Sequence, residues 1–549
     1  MAMLDTAAAE RTSFRLPRWL FVACGFMAIT ALLFWPWLQQ LSSALIGPPE
    51  DNMQDLWNSW HAATASNWHD LFFTRQLRWP EGTSLAYHSF AWPQVAAVAV
   101  LAKFLGSDFA TILTLQNLTL LASFPLSAMT MFALARHLLG DVEGRDLAAC
   151  VAGFVFAFNP WHVAQVMHHT HVATIEFLPL FVLFYLRGQD GRFRWLAGAA
   201  ALMALNALAC WYYFFYALYF MAFHLLALRI RDGAWPRRRT FAAPVICTLG
   251  ATLLLLPWLI PMLLSASGVT VRYLGGNVYV ADPAAWLAFP PTHALAFLGE
   301  PLYARLTGNA WEDAVYLGLA NLALLAWALR RKPGKPLLHY ALGGMTFFAI
   351  LAAGETLHIA GTVTPLALPD LVLDRLPFFA NVRTPARAMV FVYLFLGLGL
   401  AQACVMARRR SWLPFLLVLM LLDFIPLRLT ATPVSCPTGL DVIAHDASSA
   451  AVLDLPLGYE NGNAAMMLSA CHGHPIVQGE TARKMGPTLL DRLELKDLAA
   501  QKRQLTAAGV KYVVLHRGKL FRPDGDFSGY SHVYRMVSDS GEMTVFRVY

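Results

Sequence analysis

The chain has 549 residues, of which 57% are hydrophobic and only 14% are charged. Soluble domains carry roughly a quarter charged residues, so this composition excludes an ordinary soluble globular protein and points to lipid as the main solvent. The net charge of +7 does not indicate nucleic-acid binding, because the basic residues cluster between apolar runs, as expected of cytoplasmic loops in membrane proteins.

The first apolar run, WLFVACGFMAITALLFWPWL (19–38), follows Arg11, Arg15 and Arg18. About 20 apolar residues are needed to cross a bilayer, and the run meets that length. It exceeds the roughly 7–15 apolar residues of a signal peptide, and no small-residue cleavage pattern directly follows it. We therefore predict a retained signal-anchor helix with the N-terminus inside.

Further apolar segments follow at regular intervals along the chain. With the N-terminus inside, the predicted inner connections carry more than twice the Arg and Lys of the outer ones, in agreement with the positive-inside rule. This scheme requires that 91–106 be interfacial or re-entrant, which leaves eleven spans and an outer C-terminus. If 91–106 does cross, the segment at 109–138 must break in two near Pro125. The segments lie near 19–46, 91–106, 109–138, 146–160, 172–187, 195–210, 211–230, 241–266, 313–331, 338–357, 388–407 and 411–429.

The composition changes after residue 429. Residues 430–549 alternate β-like runs (AAVLDLPL, KYVVLH, MTVFRVY) with a charged helical stretch, which predicts a small α/β or α+β domain on the outer face. The predicted organisation is therefore a transmembrane domain over 1–429 and an extracytoplasmic domain over 430–549. In an oxidising compartment Cys436 and Cys471 could pair.

The first outer loop, 47–90, is rich in polar residues and opens with EDNMQDLWNSWH. Asp51 and Asp55 are four residues apart, so they share one face of a helix. A helix cap explains two acids at this place as readily as an active site does. Later in the loop, WPEGTS predicts a turn, and His88 lies near the loop's end.

A second polar island, FNPWHVAQVMHHTHV, lies between two predicted spans and contains His168 and His171. Imidazoles in this density suggest a metal site, but no cysteine or carboxylate stands at a fixed ligand spacing. Hydrogen bonding to a substrate, or a hydrated loop, is the preferred interpretation.

Two more outer segments carry charge. The loop at 267–312 contains Arg272, His293 and Glu312, and its glycines and prolines predict irregular backbone that protein or a water-filled cavity must cover. In FFANVRTPARAMVF (378–391), Arg383 and Arg387 begin a helix that enters from the outside. Two arginines at a helix N-terminus favour a phosphate or pyrophosphate clamp, with lipid headgroup contact as the alternative.

Taken together, these motifs resemble the GT-C glycosyltransferases, and most closely their bacterial branch that includes YfhO-like membrane proteins. The resemblance covers nearly the whole chain, although the WWDYG signature of oligosaccharyltransferases is absent. The motifs are ED-x3-D-x-W, PEGTSL, FNPWHVAQVMHHTH, EDAVYLGL, NVRTPAR, VLDLP and HGHPIVQGETAR.

The resemblance implies a polytopic α-helical enzyme of a bacterial inner membrane. It would move a sugar from a polyprenyl-phosphate donor to an envelope glycan, lipid or protein acceptor, and it would not bind nucleic acid. Asp51 would be the general base, and Asp55 a second base or an orienting partner. No cofactor is expected, with a Mg²⁺ or Mn²⁺ ion as the open alternative and no metal ligand assigned. The implied substrate-binding residues are Arg383, Arg387, Arg272, His168, His171, His88, Glu312 and His293.

Two other classes of protein fit the same pattern less well. A transporter or flippase of lipid-linked sugars would use the same cationic cavity without catalysis, but such proteins often place polar residues near mid-membrane. Here the polar residues gather at one face. A structural scaffold would leave the clusters around Asp51 and Arg383 unexplained.

Overall fold

The computed structural model describes residues 17–549 except for 190–191, 266–275, 332–334, 374, 377–378, 380–381, 449, 484–485 and 523–526. The basic residues Arg11 and Arg15 therefore lie outside the described residues. The helices of the membrane part and its loops are α1 Arg18–Leu33, α2 Trp35–Leu38, α3 Asp51–Thr64, α4 Trp92–Leu105, α5 Phe109–Leu139, α6 Arg145–Ala157, α7 Pro160–His168, α8 Thr170–Ala173, α9 Phe177–Gly188, α10 Phe193–Ala209, α11 Trp211–Asp232, α12 Arg238–Ser265, α13 Ala296–Tyr303, α14 Leu319–Arg331, α15 Pro336–Ala352, α16 Asp370–Leu373, α17 Met389–Ala407 and α18 Leu413–Asp423.

The remaining helices and the larger sheet belong to the tail. Its helices are α19 Asp441–Ala444, α20 Tyr459–His472, α21 Leu489–Arg492, α22 Leu498–Ala507 and α23 Tyr530–Val533. Among the described residues, the strands are β1 Ala44–Ile46, β2 Phe73–Thr74, β3 Thr83–Ser84, β4 Thr356–Ile359, β5 Thr362–Ala367, β6 Ala431–Pro433, β7 Ala451–Leu455, β8 Val510–His516, β9 Arg535–Asp539 and β10 Met543–Arg547.

Every apolar segment predicted from the sequence contains a helix. Within the described part of the chain, four helices are long and apolar enough to cross a bilayer by themselves: α5, α11, α12 and Pro385–Ala407, which contains α17. The pair α6 and α7, bent by 41°, would add a fifth, and six further apolar helices have 10–17 residues. The eleven-span topology and the interfacial position of α4 remain predictions. The break near Pro125 does not occur, because α5 runs through this proline as one helix of 31 residues.

Helix α17 lies at the centre of the membrane part and packs against α6, α14 and α15. Nearly all its side chains are buried, including Phe391, Tyr393 and Phe395. A helix that is apolar on all sides is stable only when other helices surround it or lipid does, and here other helices do. This rigid centre carries Arg387 on the turn immediately before α17.

The short strand β1 leads out of the membrane part into the first outer loop. It pairs antiparallel with β6, the first strand after the last apolar helix, so the loop and the tail leave the bilayer side by side. Gly47, just after β1, has φ +95°, and a Cβ there would stand 1.9 Å from the carbonyl oxygen of Met167. Only glycine allows this close approach, which places α3 against the histidine loop that follows α7.

The tail contains a four-stranded sheet in the order β7-β8-β10-β9. Strands β7 and β8 are parallel, and α20 and α22 lie in the long connection that parallel strands require. The other two pairings are antiparallel. The three predicted strands are confirmed as β7, β8 and β10, whereas the predicted helical stretch forms two helices, α21 and α22. The domain boundary at 429/430 remains a prediction.

The tail is docked firmly on the first outer loop. Ile476 donates its backbone N–H to the carbonyl of Gln76 (2.8 Å) and accepts from the N–H of Trp79 (3.1 Å), as two paired strands would. Helix α20 packs against α3, and both contribute to one buried apolar cluster that includes Trp57 and Met466. Cys436 and Cys471 form a disulfide with 5.5 Å between their Cα atoms.

Candidate functional site

Helix α3 brings the two loop acids to the junction of membrane part and tail. Asp51 occupies the first helical position, and Glu50 before it makes no capping hydrogen bond through its side chain. The Asp51 Oδ1 accepts a hydrogen bond from the Tyr459 hydroxyl (3.3 Å), at the start of tail helix α20. Burial raises the pKa of Asp51, while the bond from Tyr459 and the charge of Arg387 act in the opposite direction.

Asp55 lies one turn further along α3 and is only 5% exposed. Its Oδ2 accepts from the backbone N–H of Thr170 (3.3 Å), and its Oδ1 accepts from the side-chain amide of Asn58 (3.3 Å). Burial raises the pKa of Asp55 from 3.8 to about 7, and the charge of Asp51 adds to the increase. The two hydrogen-bond donors lower the pKa of this carboxyl, whereas its removal from water raises the pKa by more.

A hydrogen-bonded chain links Asp55 to the tail. The Asn58 Oδ1 lies 2.7 Å from Nε2 of His88, and Nδ1 of His88 accepts from the backbone N–H of Ala482 at 3.4 Å. Because Nδ1 accepts, Nε2 carries the proton and donates to Asn58. Burial lowers the pKa of His88 to about 3, which keeps the imidazole neutral. His88 therefore orients Asn58, and through it Asp55.

The histidine loop lies on the other side of the acids. Nδ1 of His168 lies 3.3 Å from the Glu50 carboxylate, and its ring stacks on Trp311 with 4.2 Å between centroids. The rings of His169 and His171 follow, 5.8 Å apart. Burial lowers the pKa of His171 to about 3, helped by the positive charges around it, so this imidazole is neutral.

Arg387 and Glu312 form a buried ion pair below these histidines. Arg387 donates from Nε (2.9 Å) and Nη2 (2.6 Å) to the same Glu312 oxygen, and its guanidinium lies 5.1 Å from the centre of the Tyr212 ring. Gln165 donates to the other Glu312 oxygen (3.2 Å). Glu312 is 2% exposed, so its role in this arrangement is to hold Arg387 in place.

The remaining three candidate residues lie in different places. Arg383 is exposed and close enough for its charge to lower the pKa of His171. His293 lies elsewhere: its Nε2 is 3.3 Å from the carbonyl of Leu422 at the end of α18, and its ring stacks on Phe289. Arg272 lies outside the described residues. The structure thus gathers eight of the ten predicted residues: Asp51, Asp55, His88, His168, His171, Glu312, Arg383 and Arg387.

No group of three or more His, Cys, Asp and Glu side chains stands at metal-binding distance within the described ranges. The imidazoles of the histidine loop are instead spread along it, with 6.5 Å between the ring centres of His168 and His169. Carboxylate oxygens, which Mg²⁺ and Mn²⁺ prefer, are available at Asp51 and Glu50.

Sequence reasoning missed three members of the site. Asn58 stands three residues after Asp55, and that helical spacing was a usable signal. Trp311, which stacks on His168, immediately precedes the predicted Glu312. Tyr459 gave no signal, because its contact with Asp51 joins residues more than 400 positions apart.

Comparisons with known proteins place this geometry in a fold. None of the curated proteins matches the sequence. Among solved structures, arabinofuranosyltransferase AftD from Mycobacteria superposes with a TM-score of 0.57 at 16% identity, over 99% of this chain and 42% of AftD. The archaeal oligosaccharyltransferase AglB from Archaeoglobus fulgidus, in complex with an inhibitory peptide and a dolichol-phosphate, gives 0.53 at 12% identity, over 92% of this chain and 70% of AglB.

Both neighbours are glycosyltransferases of the GT-C fold, so the fold predicted from the sequence motifs is confirmed. At such low identity the likeness concerns the fold alone, and a fold does not fix a function. The chain spans less than half of AftD, so AftD has large parts with no counterpart here. One family model, described as a domain of unknown function (DUF6311), matches residues 22–428, and because this is well over half of the chain, the chain belongs to that family.

Proposed function

We propose that the protein is a membrane glycosyltransferase. It would move a sugar from a polyprenyl-phosphate donor to an envelope glycan, lipid or protein on the outer face of the membrane. The observation that carries the proposal is the meeting of Asp51, the histidine loop and Arg387 at one place in a GT-C fold. AglB, which shares the fold, has been solved with a dolichol-phosphate, a lipid of the proposed donor class.

Asp51 suits the role of general base better than Asp55. It is half-buried and receives one side-chain hydrogen bond, from Tyr459, whereas both oxygens of Asp55 are occupied and the side chain is nearly inaccessible. Burial raises the pKa of Asp51, which makes the carboxylate a stronger base than a solvated aspartate. Asp55 and its partners would then fix the position of α3 relative to the histidine loop.

In the proposed step, Asp51 accepts the proton of an acceptor hydroxyl while that oxygen forms a bond to the anomeric carbon. The bond from this carbon to the lipid phosphate breaks, and the phosphate leaves with the electron pair. Negative charge grows on the phosphate as the bond breaks, so a nearby cation lowers the barrier. Arg383 is exposed and free of the Glu312 pairing, so it fits this contact better than Arg387, which would contribute at longer range.

An outer location of the site is supported by two features. The basic residues favour the opposite side of the membrane, and the disulfide between Cys436 and Cys471 fits an oxidising compartment. A cysteine introduced for Ser540, exposed between β9 and β10, tests this. We expect a membrane-impermeant maleimide to label it in intact spheroplasts. Labelling only after the membrane is permeabilised would place the tail inside and refute the proposed topology.

The decisive experiment reconstitutes the protein with radiolabelled polyprenyl-phosphate sugars and extracted envelope acceptors. Asp51→Asn is expected to lower transfer at least about 100-fold, the contribution typical of a general base. Asp141→Asn, whose side chain is 97% exposed, is the matched control and should transfer at the wild-type rate. Transfer that survives Asp51→Asn would refute the assignment of the base.

Two further arms use the same proteoliposomes. Movement of labelled donor to the inner leaflet without any transfer would favour the flippase alternative over the enzyme. Addition of EDTA, followed by Mg²⁺ or Mn²⁺, tests the cation: activity lost with EDTA and restored by the ion would assign it a role beside Asp51.

A further inference from the structure

A polar cavity of about 510 Å³ lies at the end of α3 opposite to Asp51. It is bounded by the last turn of α3, by residues 66–76 of the first outer loop and by Pro475 of the tail. Asp51 and Thr64 are separated by most of α3, which at 1.5 Å per residue is about 20 Å. The cavity is thus distinct from the proposed transfer site. Its volume falls within the roughly 300–1,000 Å³ of small-molecule sites.

The walls of this cavity are fixed by hydrogen bonds. Nε2 of His61 lies 3.0 Å from the carbonyl of Asp70, and the Asp70 side chain accepts from the backbone N–H groups of Ser66 (3.1 Å) and Asn67 (3.3 Å). On the opposite wall, the carbonyl of Gln76 accepts from the tail. The cavity therefore exists before any ligand arrives, which reduces the entropic cost of binding.

The polar groups that line the cavity match a neutral ligand with several hydroxyls. Gln76 contributes to this lining from the end of the loop segment. Thr64, Ser66 and Thr74 add hydroxyl-bearing residues to the lining, and the tilted rings of His69 and Phe73 add apolar surface. Sugar rings combine such hydroxyls with apolar C–H faces.

The charges that line the cavity argue against a phosphate. Among the described lining residues, Arg75 is the only permanent cation. Burial lowers the pKa of His61, which keeps that ring neutral, and the Asp70 carboxylate is already used in the wall. Phosphate sites usually combine several cationic or backbone N–H donors, and a single arginine makes this lining a poor match for one.

The cavity lies beside a partly exposed aromatic cluster. Trp68, 51% exposed, packs on Trp258 of the apolar helix α12 (5.6 Å between centroids) and on Trp92 (6.0 Å). Such clusters mark the level of the lipid headgroups. We propose that this cavity binds a neutral saccharide, presented either as the headgroup of a glycolipid or by a soluble glycan. This inference is independent of the transferase activity.

The test uses the full-length protein with its disulfide intact and serines at its free cysteines, Cys24, Cys150, Cys210, Cys247 and Cys404. Ser66→Cys places a thiol in the cavity, and Ser540→Cys is the exposed control. The probes are an envelope polar-lipid extract and a water-soluble envelope glycan fraction. Either probe, at about four times its Kd, is expected to slow maleimide labelling at residue 66 about fivefold and to leave residue 540 unchanged.

Chemical treatment of the probes tests the saccharide itself. Periodate cleaves vicinal diols, so treated and quenched probes should no longer protect the thiol at residue 66. Protection that survives periodate, protection by pure phosphatidylglycerol vesicles, or no protection by either untreated probe would overturn the proposal. Thr64→Trp fills the cavity and should abolish protection in a protein whose gel-filtration profile is unchanged. Protection that persists in this variant would place the ligand elsewhere and would also overturn the proposal. Which of the two untreated probes protects identifies the source.

Discussion

Replacing Asp55 by asparagine is expected to raise stability relative to wild type more at pH 8 than at pH 3. Asp55 is 5% exposed and its pKa is raised from 3.8 to about 7, chiefly by burial. The native state therefore binds this proton more tightly than the unfolded chain does. An amide has the shape of the neutral acid but never ionises, so the variant avoids the cost of a buried charge. Its NH2 group cannot accept a hydrogen bond, so the bond from either Thr170 or Asn58 is lost at every pH, at a cost of about 1–3 kcal/mol.

The magnitude follows from proton linkage. At pH 3 the carboxyl is mostly neutral in both states, and the cost of the buried charge is nearly absent. Between pH 4 and pH 7 the unfolded chain loses the proton while the native state keeps it, so wild-type stability falls as pH rises. A difference of about 3 pKa units corresponds to about 4 kcal/mol, reached near pH 7 and constant above it. Relaxation around the charge makes this an upper bound.

The assay is chemical unfolding in mixed micelles, followed by tryptophan fluorescence at pH 3 and pH 8. Asp446→Asn is a control of opposite sign, because the hydrogen bonds from Lys511 and Tyr512 hold the pKa of Asp446 below its usual range. That variant should be less stable than wild type at pH 8, and the difference should shrink as the pH falls below 4. The reasoning about Asp55 is refuted if the difference in stability between the variant and wild type is the same at pH 3 and pH 8.

Three further changes test the packing around the site. Glu312→Gln leaves Arg387 buried without its partner and should cost about 3–5 kcal/mol in the same unfolding assay, part of which a second substitution, Arg387→Met, should restore. Gly47→Ala brings a Cβ to 1.9 Å from a backbone carbonyl oxygen and should lower the thermal midpoint of the purified protein, a loss that an unchanged midpoint would contradict. Serine at both Cys436 and Cys471 opens a loop of 35 residues and should lower the free energy of unfolding by about 4 kcal/mol. The loss should appear as faster limited proteolysis of the tail. Dithiothreitol should reproduce the faster proteolysis in wild type.

The membrane helices and most of the site were accessible from sequence for a simple reason. Polar side chains in lipid raise the free energy of the protein, so they are rare there unless they serve a function. Polar segments such as HHTH and NVRTPAR therefore stand out against apolar runs. The helical spacing of Asp51 and Asp55 placed both on α3, and WPEGTS was correctly interpreted as a turn between β2 and β3, with Gly82 at φ +75°. These are local patterns, which a sequence displays directly.

Long-range packing explains what the sequence did not reveal. The sequence places His293 in the outer loop at 267–312 together with Glu312. In the structure, His293 instead lies against the end of α18. Tyr459 reaches Asp51 because the tail docks on the first outer loop, and no local pattern encodes that docking. The sequence favoured Arg387 as a phosphate ligand. Only the fold reveals that the carboxylate of Glu312 already neutralises the charge of Arg387.

The two acids of α3 are best understood as one titrating pair. The negative charge of Asp51 raises the pKa of Asp55, so the second proton leaves with more difficulty than the first. The first proton should leave Asp51, because it is less buried and because Tyr459, Arg387 and His168 all favour its charged form. Asp55 then keeps its proton up to about pH 7. Below about pH 7, where Asp55 keeps its proton, the negative charge of the pair would be centred on the acid that faces the proposed acceptor, as a single general base requires.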